Sequence, residues 1–367
     1  MNPGITTEEL ARKLTDQQKA KHDYLAEARE IRFEIDPIHS KEETTLQTYL
    51  TLNGPESLLF QINANCHKQI ADWSKIPRKY YSYMMKESPH LLRNNVNHWL
   101  QNSGNLRMIR TLNDTARAFL SDSYRRLDNF DMANAVLPVL AEVPDMEIVS
   151  CELTEHHMYI KVVFPRLETE VVPGDVVQSG LVISNSEVGM GMVKIQHLVY
   201  RLVCTNGMVS EYGKSEKHLK RNTGYNSYET ESGYELCRPE TLKQEDKAFW
   251  MKIQDVVRGF ATNAEYLTRI VAKMREAKGQ RLKGDPVKAV EELSNTLSLM
   301  EVEKSLVLTY LLKGGDLSKY GMANAVTNTA ENVRNYDRAT ELESLGSNVI
   351  NLPNSQWRKI AEAGIDN

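Results

Sequence analysis

The sequence predicts an α+β protein, with a central, mainly antiparallel sheet over about 100–225, N-terminal helices before it and a C-terminal helical bundle after it. Three observations lead there. Gly174 to Val209 is the densest run of β-branched and aliphatic residues. Asn185-Ser186, Gly189, Gly191 and Asn206-Gly207 break it into two long strands, a glycine-bearing hairpin loop and a tight turn. Upstream, Leu106–Leu112 and the stretch through Phe119 flank a turn at Asn113-Asp114. Met146–Leu153 and Met158–Phe164 flank Glu155-His156-His157. From Leu242 onward, apolar residues recur every three or four positions, the period of a helix with one buried face.

Taken in order, residues 1–32 are polar and read as a helical arm opened by Thr6-Thr7-Glu8-Glu9. Residues 33–240 read as the α+β core. Phe33–Asp36 and Thr44–Leu52 are its first strands. A helix is expected from Pro55, because Leu58, Leu59, Ile62, Cys66, Ile70 and Trp73 are spaced by three and four. Pro77 and Pro89 each open a further helix, since proline in a first turn forfeits no hydrogen bond. Asp131–Leu140 reads as a helix, and 226–240 as a polar loop. Residues 241–345 form the helical region. Phe249, Ile253, Val256, Phe260, Leu267, Ile270, Val271 and Met274 make one long stripe, and Asp285-Pro286 caps the next helix. Residues 346–367 are a tail expected to pack back through Trp357.

At 367 residues, 41% hydrophobic and 26% charged, the chain can fill a large core, and its net charge of −4 shows no overall basicity. The four cysteines are dispersed, with no CxxC pair, which points to a reducing compartment without disulfides or a zinc site. No apolar run approaches a membrane span, and the first residues carry no apolar signal core. A cytoplasmic protein with no membrane partner is expected.

Charge is unevenly spread. Between Ile76 and Phe130 nine Lys/Arg face four acids, interleaved with Tyr80, Tyr81, Tyr83, Trp99, Phe119 and Tyr124. Between 131 and 190 ten acids face only Lys161 and Arg166. Basic side chains neutralise phosphates and aromatic faces stack on bases, so the first segment fits a nucleic-acid surface. The competing reading pairs those arginines with the acidic run inside the same chain. Arg107 and Arg110 are an odd number of residues apart, so in one regular strand they face opposite sides, as do Lys194 and Arg201.

Other motifs are weaker. Gly189-Met190-Gly191 lacks the spacing of a phosphate loop and reads as a hairpin loop. His156-His157 are adjacent, so a strand sends them to opposite faces and one metal ion cannot easily hold both. Glu301-Val302-Glu303-Lys304 has carboxylates beside a lysine but lies in a helical run. No catalytic residue, metal or cofactor is assigned.

Three segments, RMIRTLNDTARAFLSDSYRRLDN, SGLVISNSEVGMG through YRLVCTNGMV, and YGMANAVTNTAENV, together resemble the phage/plasmid-like proteins of the domain-of-unknown-function 932 family. The resemblance spans Pro77 to Leu345. It implies a mobile-element setting in a bacterial host cell, and it brings no reaction with it.

The leading expectation is a non-enzymatic accessory protein that binds or anneals single-stranded DNA. Arg107, Arg110, Arg117, Arg125, Arg126, Lys194, Arg201, Lys214, Lys217, Lys220 and Arg221 are expected on phosphates, with Tyr124 and Tyr212 stacking on bases. The long stripe from Leu242 is expected to serve homo-oligomerisation. Two alternatives stand beside it: a counter-defence protein whose acidic face, 131–190, binds a host protein, and a metal-dependent nuclease.

Overall fold

The strands sort into two sheets. The computed structural model describes residues 1–39, 44–53, 57–203, 205–216 and 239–365. Its first half contains α1 (Thr7–Ala20), β1 (Lys21–Glu27), β2 (Ile31–His39), β3 (Thr44–Leu52), β4 (Leu58–Ile62), α2 (Ala64–Trp73), α3 (Arg78–Glu87), α4 (Pro89–Gln101), β5 (Leu106–Leu112), β6 (Thr115–Ser121), α5 (Asn129–Ala141) and β7 (Glu147–Leu153). Then come β8 (Met158–Glu170), β9 (Val176–Asn185), β10 (Val193–Arg201), β11 (Asn206–Glu216), α6 (Pro239–Thr262), α7 (Glu265–Gly279), α8 (Pro286–Leu297), α9 (Glu301–Gly314), α10 (Lys319–Thr329), α11 (Tyr336–Asn351) and α12 (Asn354–Ala361). The α+β class holds, and among these residues no helix is long and apolar enough to cross a membrane.

The first sheet has the order β1-β5-β6-β4-β3-β2 and is antiparallel except where β4 meets β6. Helices α2, α3 and α4 cover one face. Ile31, Phe33, Leu50, Ile70, Met84, Leu92, Val96 and Leu100 form the core there, each burial of that size stabilising by roughly 1.5–3 kcal/mol. Two readings of this region change. The helical arm ends at Ala20, and Lys21–Glu27 is a strand on β5 that turns Tyr24 and Ala26 toward this core. The helix expected from Pro55 begins at Ala64, because Asn63 accepts a hydrogen bond from Cys66 N at 2.9 Å. Leu58–Ile62 is instead a strand between β3 and β6.

The second sheet is a meander, β11-β10-β9-β8-β7. Helices α1, α5 and α6 cover one face, through Leu10 and Leu14, Val136 and Leu140, and Phe249 and Ile253. The other face packs Tyr159, Val163, Val182 and Leu198 against Tyr336 of α11. Burial on both faces leaves β9 buried from Val177 to Asn185, and the polar residues Gln178, Ser179, Ser184 and Asn185 are buried along with Leu181, Val182 and Ile183.

The C-terminal helices share one core that includes Leu267, Val271, Leu293, Val307, Leu342 and the returning Trp357. Helices α10 and α11 pack tightly at Gly346, where an added Cβ would lie 2.2 Å from Thr327 Cγ2. The expected single stripe from Leu242 is broken at Asn263-Ala264. Its halves pack on the second sheet and in the C-terminal core respectively, with Val256 and Phe260 only partly buried.

Candidate nucleic-acid interface

The hairpin loop between β9 and β10 is where the two sheets meet, and two of the expected phosphate-binding arginines, Arg110 and Arg117, converge there. Arg110 is fully buried. It pairs with Asp23 at 2.8 Å and Asp128 at 2.6 Å, and donates to the Glu187 carbonyl at 2.8 Å. Arg117 pairs with the Glu187 carboxylate at 2.8 Å, and that carboxylate also accepts from Asn129 N at 3.1 Å. Lys21 holds Asp128 from the other side at 2.6 Å. Burial works against the Asp128 charge, yet Arg110 and Lys21 hold its pKa below the usual carboxylate value. Arg110 and Arg117 are therefore structural ions, a correction to their expected role: exposing either to a phosphate would strand buried carboxylates.

Other expected contacts are similarly engaged. Tyr124 donates to the Ser186 carbonyl at 3.1 Å and is half-buried. Arg125 pairs with Asp246 of α6 at 2.9 Å and lies 4.7 Å from the Phe249 ring centroid. Arg107 faces the other side of the sheet from Arg110, as strand parity requires, and sits over Phe119 and Trp73 at 5.0 and 5.8 Å. Arg201 pairs with Asp175 at 2.5 Å, and Tyr320 donates to the same carboxylate at 2.9 Å. Arg110, Arg117 and Arg201 share one cause: each lies on a strand covered by another layer, where a guanidinium is largely withdrawn from water and burial demands a partner. Arg126 remains on the surface, its side chain 58% exposed and 3.7 Å from Asp23. Lys194 is half-buried on the face of β10 opposite to Arg201. The side chains of Tyr212 and Lys214, and all of Lys217, Lys220 and Arg221, lie outside the described residues.

The basic and aromatic signal of segment 76–130 does reach the surface, on helices rather than on the hairpin. Helix α3 buries Tyr81 and Met84, and α4 buries Leu92, Val96 and Leu100. Helical phase therefore turns Tyr80, Tyr83 and Trp99 outward, at 48%, 62% and 48% exposure. The rings of Tyr80 and Tyr83, one turn apart, lie nearly parallel, with centroids 6.4 Å apart and 17° between planes. Arg78, Lys79, Lys86 and Arg93 accompany them, and between Arg78 and Asn102 the only acid is Glu87. Arg78 is tied to Asp72 at 2.6 Å, and Arg93 stands 3.8 Å from Glu34. The signal that could have found this face was already present: Tyr80 and Tyr83 are out of phase with the apolar pair Tyr81 and Met84.

The remaining motifs are structural. Gly189 adopts a φ of +78° inside the hairpin loop. His157 Nδ1 donates to the Asp337 carboxylate at 3.0 Å. Glu303 pairs with Arg338 at 2.6 Å and caps α9 by accepting from Met300 N at 2.9 Å. Among the described residues no three His, Cys, Asp or Glu side chains are grouped to hold a metal ion. Compared with protein-family models, curated proteins and solved structures, the chain matches none.

Proposed function

We propose that the protein is a non-enzymatic nucleic-acid-binding protein that holds single strands on the outer face of α3 and α4. The observation that carries this reading is the exposed, near-parallel pair Tyr80 and Tyr83 among Arg78, Lys79 and Lys86. Solvent-exposed aromatic rings gain little from water, and unpaired bases present faces that stack on them, while lysines neutralise the neighbouring phosphates. Duplex DNA hides its base faces, so this surface favours single strands. The resemblance to the domain-of-unknown-function 932 proteins supplies the setting, an accessory protein of a phage or plasmid. Fluorescence anisotropy with a labelled single-stranded oligonucleotide tests it. Binding at low salt that weakens as salt rises, with little preference for sequence, is the expected result. No anisotropy change at low salt with single or double strands overturns it.

A further inference from the structure

An edge strand offers a row of unpaired N–H and C=O groups, which recruits another strand unless something covers it. On β2, Phe33 N donates to the Asn97 side chain of α4 at 2.8 Å, and the Asn97 amide donates back to Phe33 O at 2.8 Å. Pro37, of the same strand parity, has no N–H to offer. Beside β7, Ile5 N donates to Cys151 O at 2.8 Å. Helix α11 packs against β11. The remaining edge, β1, ends the first sheet, and among the described residues β5 is its only extensive neighbour.

Backbone parity shows which groups of β1 are free. Asn113 N donates to Ala20 O at 3.1 Å, and Ala28 N donates to Asn105 O at 3.0 Å. These bonds flank the β1–β5 register. Even-numbered residues between them therefore turn their backbone groups to β5, and odd-numbered ones turn away. Lys21 N already donates to Gln17 O at the end of α1, and Glu27 N to the Glu30 carboxylate at 3.2 Å. Asp23 and Leu25 keep both N–H and C=O without a partner among the described residues. The Leu25 side chain is 58% exposed.

We propose that β1 pairs antiparallel with β1 of a second copy of this chain, across a two-fold axis at Tyr24. The outward residues allow an axis at Asp23, Tyr24 or Leu25. An axis at Asp23 sets two Asp23 carboxylates opposite each other, and one at Leu25 sets Asp23 opposite Glu27. An axis at Tyr24 sets Asp23 opposite Leu25 and Lys21 opposite Glu27, so no like charges meet. The same register matches the free groups to one another, because each Asp23–Leu25 pair exchanges both of its hydrogen bonds. It also aligns the whole strand, Lys21–Glu27, with its copy. Lys21 stays with Asp128 and Asp23 with Arg110, since the bonds come from the backbone and the side chains need only avoid repulsion. Charge, length and free groups are all self-complementary, which selects a second copy over an unrelated peptide. The axis stands perpendicular to the sheet. The two six-stranded sheets therefore run into one another with both α2–α4 layers on the same face. The pairing does not depend on whether α3 binds nucleic acid.

Sedimentation equilibrium of the full chain from low to high micromolar concentration tests it, and a monomer–dimer equilibrium is expected. Leu25→Pro removes an N–H that faces away from β5, so the ladder inside the chain survives. Leu25→Asp sets a carboxylate opposite Asp23 of the copy. Each should weaken dimerisation about tenfold or more, with unchanged far-ultraviolet dichroism. Oxidation reads the register. Tyr24→Cys should form an intermolecular disulfide, because residues 24 face each other across the axis, and His22→Cys should not, because it faces Ala26. Leu25→Asp, at an exposed position, keeps the test decisive if Leu25→Pro or Tyr24→Cys fails to fold. A chain that stays monomeric at high micromolar concentration overturns the proposal. So does a dimer that keeps its native strength in folded Leu25→Asp, or one that cross-links through His22→Cys in preference to Tyr24→Cys.

Discussion

Arg117 on β6 and Glu187 in the β9–β10 loop, 70 residues apart in sequence, meet at 2.8 Å with both side chains more than nine-tenths buried. This pair and the Arg110 cluster beside it join the two sheets. Removing one partner of such a buried pair leaves the other charge without solvent or counter-ion, which destabilises by about 3–5 kcal/mol. Glu187→Ala is therefore expected to lower stability to urea by about that much, since Asn129 N also loses its acceptor. Replacing both members, Arg117→Met with Glu187→Met, should lose clearly less than the sum of the two single changes. Strict additivity would show that the pair contributes no coupling.

The same loop predicts a second, purely steric effect. Gly189 has a φ of +78°, and a Cβ there would lie 2.7 Å from Leu120 Cδ2 and 3.0 Å from Gln69 Nε2. Gly189→Ala meets both a disfavoured backbone region and the adjoining sheet. A loss of about 1–3 kcal/mol is expected, read as a lower urea midpoint with unchanged far-ultraviolet dichroism. Gly104→Ala is the control, because an added Cβ there meets nothing within 4 Å. Equal effects at the two positions would show that the loop is not tightly docked.

How far the sequence discloses this arrangement depends on the range of the interactions that decide it. The Asn113-Asp114 turn, the helices at Pro77 and Pro89 and the Gly189 hairpin follow from local backbone chemistry, and all form as read. Leu58, Leu59 and Ile62 fit helical spacing as well as a strand does. Only the partners that β3 and β6 provide decide between the two. The division into two sheets is likewise set by distant pairings such as Gln61 with Thr115. Arg110 shows the limit most clearly. Its charge suggested a surface, but Asp23, 87 residues away, comes to meet it through an edge strand that had read as helix. Tyr80 and Tyr83 were legible in principle, because the phase of a ten-residue helix is a local property.

Two buried histidines predict a pH dependence. Burial lowers the pKa of His67 and of His197 to about 4, against an ordinary value of 6.5. Between those values the unfolded chain binds protons that the folded chain does not, so stability falls as pH drops from 6.5 toward 4 and is fully present above that window. The carboxylates Asp128 and Asp337 have depressed pKa values, so their contribution is lost only at lower pH. The expected loss between pH 7 and 5 is on the order of 1–3 kcal/mol in total. His197→Phe should reduce it. A urea midpoint that is flat across this interval, or an undiminished fall in the variant, would show that these rings do not govern it.

The surface of α3 makes the last prediction, because there stability and binding can be separated. Tyr83 is 62% exposed and Lys79 is on the same outer side, so neither supports the core. Tyr83→Ala and Lys79→Ala should each change folding stability by no more than about 0.5 kcal/mol. Loss of a base-stacking ring removes about 1–3 kcal/mol of binding, so Tyr83→Ala should weaken a single-stranded oligonucleotide about tenfold or more. Loss of one phosphate contact at Lys79 should instead flatten the salt dependence, lowering its logarithmic slope by about 0.7 for a single strand. Arg110→Ala behaves differently: it abolishes binding only by unfolding the protein, since Asp23 and Asp128 lose their common partner. Anisotropy titrations at several salt concentrations, beside urea unfolding of the same variants, distinguish these outcomes. A folded Tyr83→Ala protein that binds single strands as tightly as the native chain would remove α3 from the interface.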